Sequence, residues 1–224
     1  ECRLKTQMSQ RVDHPSGARP TKSERTKEAV LAAAEVLFSE RGFDATTLDA
    51  IGSHAGMQGT SILYHFSTKR VLYEAVLDRM FTPLIVDVHG HFEADQPVGD
   101  RVAAITSTMV RFAAARPAAA RLILREASTG SDEAGDIVGS ASRRQWARFL
   151  GALDNASVDG NRDGLDPRVM WNVVIGAICF HFGGGSTVGA LPGDPHDSAQ
   201  VAEFEMLMVT LARSVAGLDD EAHL

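Results

Sequence analysis

Cysteine is nearly absent from this sequence: there are two in 224 residues, Cys2 in a polar stretch and Cys179 in an apolar run. That is too few and too widely spaced for a disulfide framework or a CxxC zinc knuckle, and it suits a reducing cytoplasm. Long hydrophobic runs are missing too. Charges interrupt the apolar stretches before any reaches the roughly 20 residues needed to cross a bilayer. The N-terminus is basic but has no apolar segment of signal-peptide type, so neither secretion nor membrane anchoring is expected. There is no Gly-Lys pair to form a phosphate-gripping loop, and residues 183–189 follow neither GxGxxG nor GxSxG. His89 and His91 are two apart, a spacing that points their rings away from each other on a helix, and His181 and His196 have no paired Cys or carboxylate motif. No metal site, cofactor or catalytic nucleophile is expected, hence no enzyme.

Lysine is also scarce, and all four copies precede residue 71. The net charge of −7 looks wrong for a nucleic-acid binder until it is divided along the chain. Residues 1–80 carry 11 Lys and Arg against 10 Asp and Glu; residues 81–224 carry 11 against 19. A near-neutral front and an acidic back suggest two parts with different partners, because phosphate binding depends on local cations rather than on the total. With 44% hydrophobic residues the chain can bury a substantial core, as one large or two small domains.

What is present reads as helix throughout. Residues 1–22 hold Pro15, Gly17 and Pro20 among polar and basic residues, the composition of a flexible arm. From Ser23, Val30, Ala33, Ala34, Leu37 and Phe38 recur at three- and four-residue steps, one face of a helix that Arg41-Gly42 ends. Thr46-Thr47 offers capping hydroxyls for a short second helix carrying Leu48 and Ile51 and ending near Ala55. Gly56 breaks it, and Met57, Ile62 and Phe66 form the apolar face of a third short helix, which must pack on its neighbours to persist. Ser67-Thr68 caps a longer helix running from Lys69 through Leu72, Val76 and Met80 toward His91. Further helices are expected over 98–115, from Pro117 through Leu124, over 132–155, over 169–182, and through Val201, Phe204, Met208 and Leu211. A Gly-, Asn- and Asp-rich loop separates the third and fourth of these at 158–165, and Gly183-Gly184-Gly185 stops the fourth. No strand alternation, repeat or heptad array occurs, so the expected fold is all-α.

Two short helices about a Gly-centred turn, preceded by a longer one, make a helix-turn-helix, which lays its second helix in the major groove. Held from behind by apolar residues, such a helix turns its outer face to base edges and phosphates. Here that face would offer Gln58, Thr60, Ser61, Tyr64 and His65. On spacing alone, an ordinary αα-corner with solvated side chains fits equally well.

Residues 25–76 resemble the DNA-binding domain of the TetR family of bacterial transcriptional regulators. The matching features run in order: Phe38, Arg41-Gly42-Phe43, Thr46-Thr47, Ile51, Ala55-Gly56, Tyr64-His65-Phe66 and Lys69. The resemblance implies a recognition helix over 58–65 and DNA contacts from Thr46, Thr47, Gln58, Gly59, Thr60, Ser61, Leu63, Tyr64, His65 and Lys69. Thr47 and Lys69 would touch phosphates, roles that suit a helix-capping hydroxyl and a flexible point charge. Three positions depart from the family pattern. Gly52 stands where Ala is usual, permitting close helix packing at some helical cost; Leu63 replaces a common Tyr, exchanging a hydrogen bond for an apolar contact such as one to a thymine methyl; Asp49 occupies an often basic position. In the arm, Arg11, Arg19, Lys22 and Arg25 could reach neighbouring phosphates or the minor groove.

The resemblance divides the chain into an arm (1–22), a three-helix DNA-binding domain (23–68), a C-terminal helical ligand-binding and dimerisation domain (69–218) and a tail (219–224). It implies a small, largely apolar effector, for which Phe112, Leu122, Trp146, Phe149, Trp171 and Phe180 are candidate pocket residues. The helix over 169–182 is apolar almost all round, which suggests burial against a second copy as well as within one chain. Val173, Val174, Ala177, Phe204, Met208 and Leu211 are the candidate interface. The expected protein is therefore a cytoplasmic homodimeric regulator of bacterial transcription, usually a repressor in this family, released from a palindromic operator by its effector. The rival class is an all-α protein–protein interaction module that does not bind DNA.

Overall fold

A computed structural model describes residues 21–93, 95–129, 167–184, 194–216 and 218. Every regular element among them is a helix: α1 (Lys22–Ala45), α2 (Leu48–His54), α3 (Gly59–His65), α4 (Lys69–Glu93), α5 (Val98–Ala115), α6 (Pro117–Thr129), α7 (Pro167–Gly183) and α8 (Ser198–Val215). The expected helix over 132–155 with Trp146 and Phe149, the loop at 158–165, residues 1–20 of the arm and the tail lie outside the described residues.

α1 starts at a capping box. Thr21 accepts from the Glu24 amide at 3.2 Å while the Glu24 carboxylate accepts from the Thr21 amide at 2.7 Å, satisfying two otherwise orphaned donors. Those bonds hold the Glu24 carboxyl below its ordinary range. At the other end the helical backbone breaks at Gly42, where φ is +81°, a conformation costly for any residue with a Cβ.

Two apolar clusters organise the described residues. In the first, Val30, Ala34, Leu37 and Phe38 of α1 meet Ile51 of α2, Ile62 of α3, and Leu72, Tyr73, Val76 and Met80 of α4. Tyr73 packs edge-on against Phe38, with ring centroids 4.8 Å apart, and tilted against Phe43 at 5.0 Å. This cluster extends beyond the first four helices, since Ala119 and Leu122 of α6 also belong to it. α6 further brings the buried Glu126 toward Gly42, with Arg125 beside it. Burial, reinforced by the Glu126 and then the Asp44 carboxylate, raises the Tyr73 phenol well above its usual range.

The second cluster joins Val102, Ile105, Met109 and Val110 of α5 to Ala120 of α6, Val174, Ile178 and Phe182 of α7, and Met208 and Ala212 of α8. α4 links the two, giving Met80 and Phe81 to the first and Leu84 and Val88 to the second. Pro83 falls at this changeover and removes one backbone donor from the helix. Close by, the Arg116 guanidinium donates to the Met80 carbonyl at 3.3 Å.

Ion pairs tie α5 to α8: Arg213 lies 3.7 Å from Asp100, and Arg111 donates through Nε and Nη2 to the two carboxylate oxygens of Glu205 at 2.9 and 2.7 Å. These bonds lower the Glu205 pKa from its ordinary 4.5. A folded-state value below the unfolded one stabilises the fold above pH 4.5, and that stabilisation is lost as the pH falls through the lowered value. With 71% of the Arg111 side chain exposed the pair is well screened, so Arg111→Met should cost only about 0.5–1 kcal/mol at neutral pH. Urea midpoints of the two proteins should differ at pH 7 and converge in acid.

Candidate nucleic-acid interface

α2 and α3 are each seven residues long, too short to persist alone, and are fixed by what they bury. Thr47 caps α2, its hydroxyl accepting from the Ala50 amide at 3.1 Å. Gly56 turns the chain at φ +72°, and the Met57 amide donates back to the Gly52 carbonyl at 2.8 Å. Gln58 then opens α3 through its backbone alone, its side chain making no capping bond. The two helices cross in close backbone contact: Gly52 and Gly59 are both buried, and a Cβ at Gly59 would strike the Asp49 carboxylate and backbone.

Ile62 and Gly59 point inward and Phe66 closes the end, so α3 is clamped from behind. Its other side is open. Thr60, Ser61, Leu63 and Tyr64 are exposed, Tyr64 at 87% and Leu63 at 47%. His65 is half-buried, its ring edge-on to Tyr64 with centroids 5.2 Å apart. Gln58, Thr60, Ser61, Leu63 and Tyr64 therefore share one accessible surface, with Thr47 exposed at the start of the preceding helix.

Three candidate contacts take other roles. Thr46 is fully buried, and its hydroxyl donates to the Gly42 carbonyl at 2.7 Å and to Leu37 at 3.2 Å, closing the end of α1 rather than facing a ligand. Gly59 is buried as the crossing point with α2. Lys69 turns its ammonium back on the chain, donating to the carbonyls of Phe43 (2.8 Å), Thr46 (3.1 Å) and Asp44 (3.4 Å) and lying 4.2 Å from the centre of the Phe43 ring. An ammonium has three N–H donors, and these three acceptors are enough to occupy them.

The four candidate pocket residues among those described are spread over both clusters and the surface. Leu122 and Phe112 belong to the first cluster, Phe112 tilted against Phe81 with centroids 6.0 Å apart. Trp171 packs on the second. Phe180 is 51% exposed and belongs to neither cluster.

The candidate dimer face needs correction. Val174 and Met208 are buried within the chain. Phe204 stacks face to face on His181, centroids 3.8 Å apart, and Leu211 packs against the second cluster. Burial first, then the neighbouring His196, pushes the His181 pKa down. Ala177 is half-buried, and Val173 alone of the six is clearly exposed. The exposed apolar side chains are instead Val169, Val173 and Phe180 on α7 and Met206 and Leu207 on α8. Sequence reasoning missed Val169, Met206 and Leu207 because both helices are apolar on more than one side. Among the described residues no group of three His, Cys, Asp or Glu could hold a metal, and no helix is long and apolar enough to cross a membrane.

A short helix clamped at Gly59 and Ile62, presented outward beyond a glycine turn, is the reading element of a helix-turn-helix. Residues 30–76 match the family model for bacterial regulatory proteins of the tetR family. Over 70 residues the chain is 40% identical to the HTH-type transcriptional regulator RutR of Escherichia coli K12, covering 31% of this chain and 33% of that protein. It is 39% identical over 67 residues to the HTH-type transcriptional repressor BepR of Brucella suis biovar 1, covering 29% and 32%. The matched segment spans about a third of the length of these relatives. The fold as a whole is similar to a TetR-like transcriptional regulator from Rhodococcus sp. RHA1, with a TM-score of 0.62 at 18% identity over 89% of this chain and all of that one. The match to the tetR family thus covers residues 30–76, and the likeness of the remaining helices is one of fold.

Proposed function

We propose that this protein is a homodimeric transcriptional regulator, a repressor, that reads a roughly palindromic operator with α3 and leaves it on binding a small apolar effector in the C-terminal helices. What supports it most directly is the outer face of α3, where a helix fixed by Gly59 and Ile62 exposes an amide, two hydroxyls, a leucine and a phenol together. Those groups can address base edges in the major groove, whereas a merely structural corner has no need of them. Val173, Phe180, Met206 and Leu207, exposed on α7 and α8, are the surface we assign to the second copy, since a two-fold axis would bring like patches together.

Release requires that the effector bind one dimer geometry better than the other; equal affinity would shift nothing. α4 and α6 suit the transmitting role. α6 lends Ala119 and Leu122 to the first cluster and Ala120 to the second, so a ligand that repacks the second cluster pulls on the helices that hold α3.

The test is fluorescence anisotropy of the full chain with duplex DNA from beside its own gene. Affinity should fall linearly with the logarithm of salt concentration, by about 0.9 log units per phosphate neutralised for each tenfold rise in salt. Absence of salt-dependent binding to any duplex would overturn the proposal.

A further inference from the structure

We infer that Leu63 is a specificity-determining residue that reads the 5-methyl group of a thymine in each operator half-site. The inference rests on α3 being the DNA-reading helix and goes on to specify what that helix reads.

The outer face of α3 has an unusual chemical balance. From Gln58 to His65 the sequence contains no Arg, Lys, Asp or Glu. Guanine is most often read through O6 and N7 by an Arg or Lys fork, and cytosine through N4 by a carboxylate. Neither group is present on the helix. The two cations that follow it in sequence are engaged elsewhere: Lys69 with the carbonyls of Phe43, Asp44 and Thr46, and Arg70 with Glu74 at 3.2 Å. What remains able to discriminate is the Gln58 amide, which suits adenine N6 and N7, the Thr60 and Ser61 hydroxyls and the Tyr64 phenol, which can bond to more than one base, the half-buried His65 ring, and Leu63.

Leu63 has no hydrogen-bonding atom, yet 47% of it is exposed beside the inward-facing Ile62, so its isobutyl group stands on the reading surface rather than in the core. Among the edges in the major groove only thymine presents a hydrocarbon group, its 5-methyl. Against any other base Leu63 would cover polar edges without satisfying them, which disfavours those bases as well. The 87% exposed Tyr64 ring next to it can shield the contact from water.

The test begins with selection of bound duplexes from a randomised pool by the full-length protein. Each thymine of the selected duplex is then replaced in turn by deoxyuridine, which keeps every hydrogen-bonding group and removes only the methyl. The expected result is one position per half-site at which this exchange weakens wild-type binding about fourfold, the value of one buried methyl-sized group, while Leu63→Ala binds the thymine duplex more weakly and does not respond to the exchange. Placing 5-methylcytosine opposite guanine at that position should recover part of the methyl contact relative to cytosine. A selected duplex whose affinity ignores the methyl at every thymine, or a Leu63→Ala protein as sensitive to the exchange as wild type, would overturn the inference alone. A pool from which no duplex is enriched would overturn it together with the regulator proposal.

Discussion

Replacing Lys69 with methionine should destabilise the protein by about 2–3 kcal/mol, from the loss of hydrogen bonds made by a charged donor. Phe43, Asp44 and Thr46 lie at the exit of α1, past the kink at Gly42, where the Phe43 carbonyl accepts from the Thr46 amide at 3.3 Å and the ammonium at the start of α4 gathers all three carbonyls from 2.8 to 3.4 Å. The same charge lies over the Phe43 ring, which in turn packs on Phe38 and Tyr73. Methionine keeps the length of the side chain, so little packing is lost and the deficit falls on the carbonyls. The urea midpoint should drop with little change in the dependence on denaturant. A phosphate-binding lysine would behave differently: its removal would leave the midpoint nearly unchanged and lower the salt dependence of DNA binding by about 0.9 per phosphate lost. We expect the salt dependence of Lys69→Met to match wild type under conditions where it is folded. An unchanged urea midpoint with a reduced salt slope would return Lys69 to the DNA.

Lys69 also marks where the sequence stops being informative. Signals confined to a few neighbouring residues are legible: Gly42 and Gly56 sit at positive φ, and the hydroxyls of Thr47 and Thr68 accept capping bonds where the spacing places them. The capping box of Thr21 and Glu24 is equally local and can be found by its T-x-x-E spacing, although the helix start is placed at Ser23 when only the apolar period is followed. Lys69 is different, because its partners lie 23 to 26 residues away and an exposed-looking cation gives no hint of a return path. Thr46 and Thr47 show the same limit at closer range. Adjacent residues of one type, they split into a buried brace and an exposed cap because the chain turns between them.

In the C-terminal half the difficulty is rotational. α7, apolar on almost all sides, carries no periodicity to say which side faces inward, and amphipathic α8 sets Met206, Leu207 and Met208 side by side, so the sequence allows Phe180 in a cavity and Met208 at an interface, while the structure exposes the first and buries the second. The participation of α6 in the first cluster is likewise a tertiary fact. Leu122 gives no sequence sign that it packs toward α1, some eighty residues earlier, rather than on its neighbours.

Gly52→Ala should do the most damage to DNA recognition for the smallest change in chemistry. The Cβ would lie 2.7 Å from the Gly59 amide nitrogen, 2.8 Å from the Met57 carbonyl oxygen and 2.9 Å from the Gly59 Cα. All three are backbone atoms of the turn and of α3, so no side chain can swing aside and the helices must part. Overpacking of this kind costs about 1–3 kcal/mol, and the better helix propensity of alanine returns at most about 1 kcal/mol. Stability should therefore fall only modestly. Recognition should suffer more, because displacing α3 moves Gln58, Thr60, Ser61 and Leu63 together relative to the groove, and each base-edge interaction that is broken removes about 1–3 kcal/mol of discrimination. A drop in specific affinity of at least about tenfold is expected, with non-specific, salt-dominated binding nearly intact. Gly56→Ala is the matching control: no atom lies within 4 Å of its Cβ, but φ is +72°. It should lose about 1–2 kcal/mol through backbone strain without displacing α3, and should bind the selected duplex as wild type does wherever it is folded. If Gly52→Ala kept full specific affinity, the close crossing of α2 and α3 would not be what aims the reading face.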